Sequence, residues 1–254
     1  MNILHSLVIG VLQGLLEWIP VSSSGQLTLF IVNLLSLNVK EAYSYSLAVH
    51  MGSLIALLIK FRDEIVNILL NTLRLNPGSE EKFLIMSTAI TGVVGMPIYI
   101  FLIDVIKGGA FINGLIGFSL LVTGFLIKKA GKGLNTLKEV TIFHAVMAGI
   151  AQGFSAIPGI SRSGITVSIL LLMGIEQGRA LRLSFLMGIP ALMGASLMAL
   201  LNLTLSYQVL ISLISSFIVS MLSIDFLLKL ASWLSFYKFC ILFGLLTLLS
   251  LLIS

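Results

Sequence analysis

Two short stretches decide how this chain folds: Pro20-Val-Ser-Ser-Ser-Gly25 and Pro158-Gly-Ile-Ser-Arg-Ser-Gly164. The first interrupts the apolar region 3–37 and the second the apolar region 142–175. An interrupted helix at membrane depth is tolerated only where protein buries it or where it lines a cavity. Each region therefore reads as a re-entrant helical hairpin, with its polar turn facing inward.

The two stretches are copies of one another. The first reads Gly10-x-x-Gln13-Gly14, then Pro20, then Ser22-x-Ser24-Gly25. The second reads Gly149-x-x-Gln152-Gly153, then Pro158, then Ser161-x-Ser163-Gly164. A single offset of 139 residues superposes six positions, and only the proline slips, by one. Met51-Gly52 against Met187-Gly188 is a weaker echo. Matching broken helices in two halves are the mark of an internal structural repeat. The halves fall at about 1–128 and 140–254 of a single membrane domain covering 1–254.

Composition agrees with lipid as the solvent. The chain has 254 residues, 58% of them hydrophobic and 10% charged, where a soluble domain carries about 25% charged residues. Runs near 42–60, 83–104, 111–127, 183–203, 207–228 and 237–253 are long enough to cross the hydrocarbon layer. The expected fold is thus all-α and polytopic, six transmembrane helices plus two re-entrant hairpins. No Lys or Arg precedes the first apolar run and Glu17 follows it directly, so that run is not expected to be a cleaved signal peptide. Cys240 lies in an apolar run, and with one cysteine no internal disulfide is expected.

Charge fixes the orientation. With the first hairpin entering from outside, the loops 60–82, 128–140, 176–182 and 229–238 are cytoplasmic. They hold Lys60, Arg62, Arg74, Lys82, Lys128, Lys129, Lys132, Lys138, Arg179, Arg182, Lys229 and Lys238, against Lys40 and Lys107 outside. Twelve against two is a strong positive-inside bias. The second hairpin then enters from the cytoplasm. The repeat is inverted, and both termini lie outside.

Broken helices of an inverted repeat meet near the midplane. That brings together Glu17, Ser22, Ser23, Ser24, Ser161, Arg162 and Ser163, with Gln13 and Gln152 close by. An ionisable residue inside the membrane is a functional candidate by default. Arg162 offers a planar fork of donors suited to phosphate oxygens. Gly and Ser at a helix start expose N–H groups that also favour phosphate. Glu17 can serve as base towards a serine or a water. The plainer readings are close packing for the serines, a structural ion pair for Glu17 and Arg162, and helix capping for Gln13 and Gln152. His5 and His144 lie near span ends. His50 lies mid-span, as fit for packing as for catalysis. The three histidines are too scattered for a zinc site. No nucleotide loop, cysteine cluster or nucleic-acid patch appears, so no nucleic-acid partner is expected.

Gln13-Gly-Leu-Leu-Glu17 followed by Pro20-Val-Ser-Ser-Ser-Gly25 resembles the paired signatures of the undecaprenyl-diphosphatase, or bacitracin-resistance, family. Pro158-Gly-Ile-Ser-Arg-Ser-Gly164 is similar to that family's second signature, and Ala48-Val-His-Met-Gly52 sits where the family has a further short pattern. The resemblance covers essentially the whole chain. It implies interdigitated inverted repeats and an active site facing the outer side of the cell membrane. It also implies hydrolysis of a long-chain polyprenyl diphosphate to the monophosphate and phosphate, which recycles the lipid carrier for cell-surface polymers. By position, Glu17 matches the essential carboxylate, Gln13 the Glu/Gln position, Ser23 the proposed nucleophile, and Arg162 with Ser161 the phosphate-binding pair. One departure stands out. The family commonly has His where this chain has Gln26, and His50 on the next span is a candidate substitute.

The expected activity is therefore a lipid-diphosphate phosphatase. Glu17, Ser23, Arg162 and His50 carry the chemistry; Gln13, Ser22, Ser24, Gly25, Gln26, Gln152, Ser161, Ser163 and Gly164 hold the substrate. A divalent cation, Mg or Ca, could assist by bridging diphosphate oxygens. Glu17 is the only mid-membrane carboxylate, so an all-protein metal cage is not expected. Architecture alone would favour a secondary transporter or lipid flippase; the serines beside Glu17 and Arg162, and then the resemblance, reverse that order. The chain is compatible with a homo-oligomer.

Overall fold

The computed structural model of the chain describes residues 2–19, 21–35, 37–74, 77–105, 109–130, 137, 139–204, 206–233 and 236–251. Pro20, Lys107, Lys132, Lys138 and the side chain of Lys229 lie outside the described residues. The elements are all helical: α1 (Ile3–Leu16), α2 (Ser23–Leu35), α3 (Val39–Lys60), α4 (Arg62–Leu73), α5 (Ser79–Val105), α6 (Gly109–Ala130), α7 (Ile142–Phe154), α8 (Arg162–Leu172), α9 (Gln177–Leu201), α10 (Tyr207–Trp233) and α11 (Phe236–Ser250). Helices α3, α5, α6, α9 and α10 are long and apolar enough to cross a membrane. The chain is a multi-pass membrane protein. Large apolar side chains such as Val93, Leu201 and Leu222 stand exposed on these helices, as expected where lipid is the neighbour. At the place of the sixth expected span lies α11, 15 residues long, or about 22 Å at 1.5 Å per residue.

Both interrupted regions appear as pairs of short helices, α1–α2 and α7–α8. Their caps follow from the residues. Asn2 accepts from the His5 amide at 2.8 Å to open α1, and Thr141 with His144 forms a capping box at the start of α7. Ser161 caps α8 by accepting from the Gly164 amide at 3.2 Å. Within the breaks, the amides of Ile19, Val21, Ser155, Ala156, Ile157 and Ile160 all bond to nearby carbonyls. Tight turns thus satisfy backbone that lipid could not.

The structure corrects one stretch of the expected topology. The segment 60–82 is not simply a loop, because it contains the twelve-residue α4. Its charges, Arg62, Asp63, Glu64 and Arg74, suggest a solvated connection, but Ile65 and Ile68 pack against the main core. A network at this end ties three helices together. Arg182 on α9 bonds Glu64 of α4 at 2.7 Å and Glu80 of α5 at 2.9 Å, and Arg179 bonds Glu80 at 2.5 Å. The segment 176–182 is likewise mostly the first turns of α9.

The matched glycines do matching work. A β-carbon on Gly10 would lie 1.9 Å from Ser215 Oγ, and one on Gly14 2.9 Å from the Ser216 carbonyl oxygen, so α1 lies directly on α10. A β-carbon on Gly149 would lie 2.7 Å from the Ser87 carbonyl oxygen, and one on Gly153 2.6 Å from Val94, so α7 lies directly on α5. Each broken pair thus packs on a helix from the opposite half. Helix α3 is the most buried of the five long helices and α9 the next. They pack on each other, and both hold the site. The core around them includes Trp18, Leu54, Leu57, Phe83, Leu170, Leu183 and Met187.

Candidate active site

The two breaks touch. A β-carbon on Gly25 would lie 3.0 Å from the Gly159 amide nitrogen. Gly159 itself has φ +95°, and a β-carbon there would also strike the Ile116 carbonyl oxygen at 2.6 Å, so only glycine serves. Ser22, at φ 60°, is the single non-glycine residue with positive φ among those described. It sits directly before Ser23, the first residue of α2. Tyr43 of α3 fixes the second break by donating to the Ala156 carbonyl at 2.7 Å.

Four elements then converge on one carboxylate. Glu17, 5% exposed, follows α1. Its Oε1 pairs with Arg162 at 2.7 Å, from the first residue of α8. Its Oε2 accepts from Ser23 Oγ at 2.8 Å and from Gln13 Nε2 at 3.0 Å. The same oxygen lies 3.2 Å from His50 Nε2. Ser23 Oγ is also 3.1 Å from His50 Nε2. On the far side of the ring, His50 Nδ1 lies 2.6 Å from the Ser46 carbonyl oxygen. A carbonyl only accepts, so Nδ1 carries a hydrogen and Nε2 is the nitrogen presented to Ser23 and Glu17. The tautomer is assigned from these partners. A hydroxyl set between a carboxylate and an oriented imidazole is the arrangement of an activated nucleophile.

Arg162 is held but not spent. One terminal nitrogen meets Glu17 and the other donates to the Ser184 carbonyl at 3.4 Å. A guanidinium has five N–H donors, so donors remain for an anion. The start of α8 lies beside it, and helix N-termini favour negative charge.

The cluster opens into a cavity of about 260 Å³. Ser22, Ser24, Gln152, Ser161 and Ser163 line it together with Glu17, Ser23, His50 and Arg162. Gln13 stands behind Glu17, bonded also to Ser53 at 3.2 Å. Gln152 spends its N–H groups on Thr91 at 3.1 Å and the Met187 carbonyl at 3.0 Å. The Ser161 hydroxyl is engaged as the cap of α8. Gly25, Gln26 and Gly164 are not on the cavity wall. Gly25 and Gly164 are close-packing positions, against Gly159 and Thr123. Gln26 is half-buried on α2 away from the cavity, and it is His50 that faces Ser23.

The residues do not form a metal cage. Among those described, no three His, Cys, Asp or Glu side chains cluster, and both oxygens of Glu17 are already taken by protein partners.

Sequence reasoning missed Ser46, Ser53 and Gly188. A β-carbon at Gly188 would lie 1.8 Å from Arg162 Nη1, so this glycine makes the room that the guanidinium fills. The Met187-Gly188 echo was its only signal. Ser46 was readable as the residue one helical turn before His50.

A family model described as bacitracin resistance protein BacA matches residues 6–248. Curated proteins named undecaprenyl-diphosphatase are similar over nearly the full length. That of Methanothrix thermoacetophila is 36% identical, over 98% of this chain and 96% of that protein. That of Methanococcoides burtonii is 34% identical over 99% of each. That of Methanopyrus kandleri is 37% identical, over 92% of this chain and 91% of that protein.

Proposed function

The chain belongs to the bacitracin resistance protein BacA family, and from that premise we propose that it hydrolyses undecaprenyl diphosphate to the monophosphate and inorganic phosphate. Its relatives are named for that activity, and its own buried cluster supplies the chemistry. The observation that carries the assignment is Ser23 Oγ at 2.8 Å from Glu17 Oε2 and 3.1 Å from His50 Nε2, on a cavity that also exposes Arg162.

The terminal phosphate sits between Arg162 and the serines. Ser23 Oγ attacks its phosphorus and passes its proton to Glu17 Oε2. The bond from phosphorus to the bridging oxygen breaks, and the lipid monophosphate leaves with that oxygen. A water then attacks the phosphoserine: it gives one proton to His50 Nε2, the ring being held by Ser46, while Glu17 returns its proton to the departing Ser23 Oγ. Phosphate is released and His50 passes its proton to solvent. Arg162 opposes the charge that builds on the equatorial oxygens, the largest contribution a site of this kind can make. A divalent cation, Mg or Ca, would enter with the diphosphate as its counter-ion.

The fold reading that accompanies this is six spans with two re-entrant hairpins in an inverted repeat of about 1–128 and 140–254. The site faces the outer side and both termini lie outside. The charge bias of the loops and the matched packing of α1 on α10 and α7 on α5 support it. The transport reading rested on architecture alone. A serine hydroxyl that donates to a carboxylate, with an imidazole nitrogen 3.1 Å from the same oxygen, is reaction chemistry that transport does not require.

Phosphate release from undecaprenyl diphosphate by the purified chain tests the activity. Stopping turnover with acid and mapping phosphate by mass spectrometry tests the route. A phosphorylated Ser23 is expected, and its absence at every time point, with turnover intact, removes the covalent step.

A further inference from the structure

The cavity has a polar end and an apolar end. From Glu17, Ser23, His50 and Arg162 it extends between α5 and α9, where the walls are Gly92, Gly95, Met96, Ala191, Gly194 and Ala195. At about 260 Å³ it is far too small to enclose a long polyprenyl chain. The chain must leave the cavity sideways into lipid, and two glycines mark where.

Most glycines in this protein are pressed against a neighbour. Gly95, on the same helix, would place a β-carbon 3.3 Å from the Gly153 carbonyl oxygen. Gly92 on α5 and Gly194 on α9 are different: a β-carbon at either meets nothing within 4 Å. Both are exposed, and both line the cavity. Close packing therefore does not explain them, and a glycine inside a helix costs about 1 kcal/mol relative to alanine. A second groove begins at Gly92 and Met96 and runs over Val93, Pro97, Ile100 and Phe101 on the outer face of α5. It shares Gly92 and Met96 with the cavity as lining residues. Pro97 in α5 and Pro190 in α9 each remove one N–H from the helix ladder beside the opening.

We infer that Gly92 and Gly194 hold open a lateral slot between α5 and α9. Through it the polyprenyl chain passes from the cavity to the groove along Val93, Pro97, Ile100 and Phe101. These two glycines then set which chains are accepted, acting on the substrate's length beyond the cavity and not on the diphosphate. The inference rests on the phosphatase reading above.

The test is a chain-length comparison with the purified full-length protein. Gly92→Leu, Gly194→Leu and the double variant are assayed on undecaprenyl diphosphate and on geranyl diphosphate, whose short chain ends inside the cavity. Filling the slot should lower kcat/KM for the long substrate about 10-fold or more, the scale of overfilling a packed apolar path. Turnover of the short substrate should fall by a much smaller factor, and its persistence also shows that the variants fold. Gly92→Ala and Gly194→Ala, which add one methyl to the slot, should shift the long substrate in the same direction by a smaller factor. Equal loss on both substrates, or no loss on the long one, overturns the slot. Absence of phosphate release from either substrate by the unmodified chain overturns the phosphatase reading itself, so the two failures are distinguishable.

Discussion

Gly188 and Arg162 are a lock at the scale of single residues. The guanidinium lies where a side chain at 188 would begin, and its other contacts are Glu17 Oε1 and the Ser184 carbonyl. Gly188→Ala therefore displaces Arg162 without removing any charged group. Turnover should fall by about 10-fold or more, as expected when a misplaced group forfeits transition-state contacts. Assay of phosphate release checks this, and wild-type turnover would show that Arg162 needs no such seat. His50 makes a second residue-scale case. His50→Ala removes the imidazole from both Ser23 and Glu17 while Gln26 remains in place. A loss in the range of 10²–10⁴ in kcat is expected for a proton-transfer partner. His50→Ala with near wild-type turnover removes His50 from the mechanism. Removing Arg162 outright is a different experiment. It leaves Glu17 buried without its ion-pair partner, which costs stability on the order of 3–5 kcal/mol, so activity lost in that variant also reports on folding.

At the scale of elements, the glycines on α1 and α7 decide how closely helices meet. Gly10→Val would force a branched side chain into Ser215 Oγ and the Ser212 carbonyl oxygen, which lie 1.9 and 2.4 Å from the β-carbon position. The α1–α10 seam should loosen, with a loss of about 1–3 kcal/mol seen as a lower Tm in detergent; an unchanged Tm would separate this seam from the protein's stability. This is also where the legibility of the sequence ends. The breaks, their copying and the acid and base on opposite copies were readable, because Gly, Pro and Ser in an apolar run have few reasons to be there. That Glu17 and Arg162 bond to each other was one of two readings of that placement, the other being that they bind a ligand together. The helix α4 was not read, because Arg62, Asp63, Glu64 and Arg74 at its ends resemble a solvated loop and its apolar stretch is too short to cross a membrane, although half of its twelve residues are apolar. Nor could the chain say that the Ser161 hydroxyl is engaged as a cap while Ser23 faces the carboxylate. At the 139-residue offset Ser161 is the counterpart of Ser22, the neighbour of Ser23, and only the third dimension separates a capping hydroxyl from a reacting one.

At the scale of the whole molecule, the halves are built through one another. Helix α1 rests on α10, α7 rests on α5, and the two central helices α3 and α9 face each other. The proposed topology sets both termini outside, although the chain is translated from the inside. A reporter fused after Ser254 should read as external, and a cytoplasmic signal would refute the inverted arrangement. Exchange of elements on this scale also means that neither half has a complete site. The first contributes Glu17, Ser23 and His50, and the second contributes Arg162.

The bond between Glu17 and Arg162 joins residues 145 positions apart, and this sets a clock on biogenesis. At ribosomal speeds of about 5–20 residues per second, the carboxylate emerges roughly 7–30 s before its guanidinium. For that interval the α1–α2 pair lacks both its charge partner and the α10 surface. A chain cut short before Arg162 therefore holds Glu17 and Ser23 without the cation that completes their cluster.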